Sequence, residues 1–143
     1  MRLRLMLAAC AALAAGGAAV AQVMVHDLPV QAIMATAVNP GALAFWAGGN
    51  DPPENESKAE AAARWDEAVK GAQVMQVQGE ALKAYSRPGR WNEFAQMMID
   101  VSKEGEAAAS AKDAEKAFEI GGRLYDSCNG CHKTYIPPPP RQQ

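Results

Sequence analysis

Little in this sequence favours a sheet, a disulfide scaffold or a nucleic-acid surface. Only 3 of 143 residues are cysteine, too few for a framework of several bridges. Phe, Tyr and Trp number 3 each, and Val and Ile are sparse beside abundant Ala, which argues against a strand-rich fold. No Asn-Gly turn joins two alternating runs; Asn129-Gly130 lies inside a helical pattern. With 14 basic and 16 acidic residues, the net charge of −2 gives no footprint for nucleic acid. No nucleophile with an accompanying base and no phosphate-binding loop is visible, so no enzyme is expected. Acidic pairs such as Asp66-Glu67 read as solvated helix surface. What remains, at 49% hydrophobic and 21% charged residues, has the composition of one globular domain.

Residues 1–21 read as an export signal. Arg2 and Arg4 form a positive start, an Ala-rich apolar stretch follows, and Ala19-Val20-Ala21 fits the small-x-small cleavage rule. Leu7-Ala8-Ala9-Cys10 offers a rival reading as a lipoprotein box. Its apolar core would then be only Leu5 to Ala9, shorter than the ~7–15 residues such regions use. Cleavage after Ala21 would start the mature chain at Gln22. Arg2 and Arg4 would be lost with no acidic residue, taking the net charge from −2 to −4. The expected location is the bacterial periplasm.

Four helical patterns fill residues 22–136, ahead of a proline-rich tail at 137–143. The first starts at Leu28-Pro29, with Val30, Ile33, Met34 and Ala37 on one face. Asn39-Pro40 is expected to break or kink it before a short segment through Leu43, Phe45 and Trp46. Ser57 with Glu60, and earlier Asp51 with Glu54, fit the capping box. The second pattern follows, to about Ala84. Its seam, Trp65, Ala68, Ala72, Met75, Gly79 and Leu82, repeats at alternating three- and four-residue steps. Ser86-Arg87-Pro88-Gly89 is a turn. The third seam is Trp91, Phe94, Met98, Val101, Gly105 and Ala108, and a weak Ala-rich connection leads to Asp113. The fourth is Ala114, Ala117, Gly121, Leu124, Cys128 and Cys131, stopped by Ile136 and four prolines. Four amphipathic segments with short loops predict an all-α chain, an antiparallel four-helix bundle.

One motif carries chemistry. Cys128-Asn129-Gly130-Cys131-His132 is a haem c attachment sequence. Two thiols three residues apart can form thioethers with the two haem vinyl groups, and the next residue, His132, supplies the proximal ligand to iron. Positions i, i+3 and i+4 share one helix face, so all three side chains project together. Zinc would need four ligands, and only His26 and His132 accompany the cysteines. A thioredoxin-like motif would need a βαβ setting.

With its motif on the last helix, the chain resembles the class II c-type cytochromes, the cytochrome c′ and cytochrome c-556 group. The resemblance rests on Cys128 to His132 with Tyr135, on Gly89-Arg90-Trp91 with Phe94, and on Ile33-Met34. It covers about Leu28 to Tyr135. It implies one covalent haem c between the helices, with the last helix proximal and the first distal. Pro40, with Phe45-Trp46 after it, departs from the better-known members and leaves the length and direction of the first helix open. By the same resemblance, the distal site is either five-coordinate and gas-binding, or six-coordinate with a methionine from the first helix. Met34 stands in the matching stretch, with Ile33 as the neighbour that would otherwise face the iron. His26 reads as a surface residue, and Met75, Met97 and Met98 as core.

Trp91, Phe94 and Tyr125 are expected beside the haem. Gly121 is expected at a close approach, and Arg87, Arg90 or Arg123 at the propionates. The leading expectation is a periplasmic electron carrier with His132/Met34 ligation, serving redox partner proteins. The alternatives are a five-coordinate binder of nitric oxide or carbon monoxide, and a metal-free helical interaction protein. The resemblance also raises a homodimer through the first two helices, which the seam residues do not decide.

Overall fold

The computed structural model describes residues 29–136. The expected signal segment 1–21, Cys10, His26, the Gln22 start and the 137–143 tail lie outside the described residues. Among the described residues the chain is all-helical and has no strand. Four helices make a helical bundle: α1 Pro29–Gly49, α2 Lys58–Lys83, α3 Trp91–Ser110 and α4 Ala114–Tyr135.

Of the break or kink expected at Asn39-Pro40, the break does not occur. The helix runs through Pro40 by widening into a π turn at Met34–Val38, where the Asn39 N–H donates to the Met34 carbonyl five residues back. Pro40 then falls at the start of the following α segment, where a missing N–H is tolerated. At 21 residues and a mean hydropathy of 1.2, this apolar helix near the N-terminus is long and apolar enough to cross a membrane by length and composition. In the fold its Val30, Val38, Gly41, Ala42, Phe45 and Gly48 are buried.

α2 begins as its capping box predicts. Ser57 Oγ accepts the Glu60 N–H at 3.2 Å, and Glu60 Oε2 accepts the Ser57 N–H at 2.8 Å. The earlier pair, Asp51 and Glu54, starts no helix: residues 51–53 have no regular structure and 54–55 form a turn. Arg64 seals that loop to α1. Its guanidinium holds Glu56 through Nε–Oε1 at 2.6 Å and Nη2–Oε2 at 3.0 Å, and donates to the Ala47 and Gly48 carbonyls at 3.0 and 2.9 Å. Carbonyls at a helix end have no partner within the helix, so Arg64 completes the end of α1.

Every expected seam position of α2 and of α3 is buried. α3 corrects the expected weak connection: it stays helical to Ser110, leaving three residues before α4, with Lys112 at φ +56°. Asp113 caps α4 by accepting the Lys116 N–H at 3.0 Å. Ala114 is exposed rather than part of the α4 seam, and Ile120 is 1% exposed within it.

Close approach of backbones sets the packing. A Cβ on Gly71 would clash with the Gly41 carbonyl and lie 3.0 Å from the Phe45 nitrogen. One on Gly48 would meet Ala68 Cβ at 2.7 Å, and one on Gly105 would meet the Phe45 ring at 2.8 Å. Later residues of α1 thus face earlier residues of α2. Between α2 and α3, Trp91 Nε1 donates to the Leu82 carbonyl at 2.8 Å, while Gln73 and Gln76 both donate to Glu106. Between α3 and α4, Phe94 meets Gly130, and Glu104 pairs with Arg123. Between α1 and α4, Trp46 Nε1 donates to the Gly121 carbonyl at 3.0 Å, and a Cβ on Gly121 would sit 2.9 Å from the Trp46 ring. Gly121 is therefore the close approach expected of it.

Two predictions follow from this packing. Gly71→Ala pushes a methyl into backbone that cannot move aside, so it should destabilise by about 1–3 kcal/mol, read as a lower melting temperature by far-UV circular dichroism. The second concerns pH. The hydrogen bond from Arg64 holds the Glu56 carboxyl below its ordinary value against the opposing effect of burial. A depressed carboxyl stabilises fully above the ordinary value of about 4.3 and loses that contribution as pH falls through the depressed one. The urea midpoint of wild type should exceed that of Arg64→Met at neutral pH, and the gap should narrow below about pH 4.

Candidate functional site

The last turns of α4 form one wall of the site. Leu124 and Ser127 are buried there, and Ser127 Oγ donates back to the Leu124 carbonyl at 2.7 Å. Cys128 and Cys131 follow on the same face, half-buried and as free thiols. Burial pushes both thiols up. The Ser127 hydrogen bond opposes this at Cys128; at Cys131 the neighbouring Cys128 adds to it and Arg87 opposes it. Gly130, between the cysteines, lies flat under Phe94: a Cβ there would stand 2.7 Å from that ring. The glycine lets α3 close on the helix between the two thiols.

Cys128, Cys131 and His132 line an inner cavity of about 50 Å³ together with Met34, Val38, Leu82, Trp91, Phe94, Ala95, Met98 and Ser127. An outer cleft of about 430 Å³ is also bordered by Met34, Trp91, Cys131 and His132, and opens past Val30, Gln31, Ala35, Asn39, Arg87, Tyr135 and Ile136. The four expected ligand residues, Met34, Cys128, Cys131 and His132, therefore border one apolar space between α1, α3 and α4. Ile33 is not part of its lining. It packs half-buried against the core, so Met34 is the α1 side chain of that pair at the cavity.

The turn between α2 and α3 forms the rim. Gly89 takes φ +87°, a conformation natural to glycine. Tyr135 Oη donates to the Pro88 carbonyl at 2.9 Å, and the Tyr135 ring meets Trp91 edge-on at 5.1 Å. The Arg87 guanidinium lies 4.4 Å over the Trp91 ring, at the outer cleft. Arg90 instead pairs with Glu93, and Arg123 with Glu104, neither at the cleft. Of the three arginines named from the sequence, Arg87 borders the site.

Two expectations are corrected. Tyr125 is 57% exposed and borders a different hollow, beside Trp46 and Phe118. Met97 is exposed rather than core, because it falls on the outward face of α3. Met98 is core, as expected, but also lines the cavity. Val38, Leu82, Ala95 and Ser127 are lining residues that sequence reasoning did not assign to the site. For Leu82 the signal was present, since it closes the α2 seam at the end facing Trp91.

Two thiols, an imidazole on the next residue and a thioether are donor types that a covalently attached haem takes. Among the described residues no group of three or more His, Cys, Asp or Glu converges to hold a metal ion. Met34, Cys128, Cys131 and His132 border an apolar space, and Arg87 borders the cleft that adjoins it. Comparison of the chain with protein-family models, with curated proteins and with solved structures returned no match.

Proposed function

We propose that this chain is a periplasmic monohaem c-type cytochrome of the class II kind, an electron-transfer protein rather than an enzyme, built as an antiparallel four-helix bundle. The observation that carries the reading is that Cys128, Cys131, His132 and Met34 border a single apolar cavity. Cys128 and Cys131 would hold one haem c through two thioethers, with His132 and Met34 as the two donors to its iron. The haem supplies an iron that cycles between Fe(II) and Fe(III), and His/Met ligation favours the reduced state. Trp91, Phe94, Leu82 and Met98 keep water from the cavity. Arg87 offers its guanidinium to the propionates, with charge-assisted hydrogen bonding as the driving interaction. The acidic mature charge suits a basic patch on a redox partner protein.

The attachment is tested by mass. Denatured protein should keep one haem, and Cys128→Ala with Cys131→Ala should abolish retention. Haem released intact from wild type by acid-acetone would reject the reading and leave a metal-free helical protein.

Met34 is tested by spectrum. Ferric wild type should be low-spin with a weak far-red sulfur-to-iron band. Met34→Ala should remove the band, lower the potential and raise ferrous carbon monoxide affinity by about tenfold or more, the equivalent of ~1.4 kcal/mol of competition removed. A wild type that is already high-spin and binds carbon monoxide readily would assign the protein to the five-coordinate gas binders.

A further inference from the structure

The hollow beside Tyr125 shares no lining residue with the cavity or the cleft at His132. Phe118, Gly121, Gly122 and Tyr125 fall three, four and seven residues apart, so they share one face of α4. Phe118 is 66% exposed and Tyr125 57%. Between these two rings the helix presents only glycine. A Cβ on Gly122 would meet nothing within 4 Å, so the floor is open to an incoming group. Trp46 walls the inner side, fixed by its bond to the Gly121 carbonyl. The space measures about 300 Å³. Past Phe118 lies a second hollow, bordered by Asp51 and Glu115. Two aromatic rings in water with carboxylates at one end mark an interaction surface.

The chain carries a segment that matches it. Residues 137–143 read Pro-Pro-Pro-Pro-Arg-Gln-Gln. Proline runs favour an extended left-handed helix with three residues per turn and ~3.1 Å per residue, and such helices dock on aromatic grooves. On that helix Pro137 and Pro140 share an edge, ~9.3 Å apart. Phe118 and Tyr125 are separated by ~10.5 Å along the axis of α4. With Pro137 at Tyr125 and Pro140 at Phe118, Arg141 arrives at Asp51 and Glu115. The opposite charges fix the direction of the segment. A chain cannot fill its own notch in this way. Ile136 lies ~16.5 Å beyond Tyr125 along α4, whereas four prolines span only ~12 Å.

We propose that this notch binds the 137–143 segment of a second copy of the chain, with the prolines on the rings and Arg141 at the carboxylates. Each copy has one segment and one notch, so two copies that exchange segments use both. The inference does not depend on what the cavity beside His132 holds.

Sedimentation of the purified full chain at rising concentration tests it. The mass of wild type should pass from one copy to two. A free peptide of residues 136–143 should return it to one copy, and the same peptide with alanine in place of its prolines should not. Gly122→Leu fills the notch from its floor. Its Cβ meets no neighbour and it replaces a poor helix former, so the variant should melt no lower than wild type. It should nevertheless weaken association by about tenfold or more, as should Phe118→Ala with Tyr125→Ala. Arg141→Glu should weaken it most at low salt. A single-copy mass at every concentration would overturn the proposal. So would association that survives Gly122→Leu and ignores the peptide, which would place the second copy elsewhere, as on the first two helices.

Discussion

Close approach at glycines near one end of the bundle governs the rest of the structure. Gly41, Gly48, Gly49, Gly71 and Gly105 all lie around Phe45 or the end of α1, where a Cβ at any of them would press on a neighbour. With no side chains of their own, these glycines let a neighbouring backbone or ring come close, and interiors packed at protein density have little slack to absorb a methyl. Toward the start of α1 the neighbours are large: Met34, Leu82, Trp91, Phe94 and Met98. A bundle pinched at one end and propped by large residues at the other leaves its free space at the propped end, where the thiols and imidazole are.

Trp91 links that space to its rim. Its indole N–H is satisfied by Leu82, its face carries Arg87, and its edge meets Tyr135. One ring therefore fixes the start of α3, the turn that carries Arg87 and the last turn of α4. A guanidinium over an aromatic face is held by the ring quadrupole as well as by its length of side chain. The rim is accordingly organised through side-chain contacts, although the turn itself has only one residue of positive φ, Gly89.

The parts legible in sequence were those set by short-range chemistry. The Ser57–Glu60 box, the α2 and α3 seams and the Cys128–His132 motif depend on spacings of three and four residues, which a helix turns directly into geometry. Pro40 was legible as a disturbance but not as a widened turn. The missing N–H is local, whereas the choice between breaking and widening depends on what Val30 and Phe45 gain by staying packed. Arg123 could not be separated from Arg87 beforehand, because its partner Glu104 lies on another helix. The exposure of Tyr125 and Phe118 was hidden for a related reason. An aromatic residue in a helix reads as core until the neighbouring helix is known to pass on its other side.

The cleft lies between the first helix and the last, and that has a consequence for how the chain assembles. α2 pairs with α3, and α3 with α4, across turns of a few residues, whereas α1 meets α4 only after about 70 intervening residues, as the Trp46–Gly121 bond illustrates. Short-range pairings form early and long-range closure is entropically slower. Closure of α1 against α4 is therefore the long-range step, although α1 is also fastened to α2 across the 50–57 loop through Gly41–Gly71 and Arg64. Local opening of the finished molecule should follow the same route in reverse. The cleft beside Met34 would be the part that opens first, with Cys128, Cys131 and His132 remaining on the wall formed by α4.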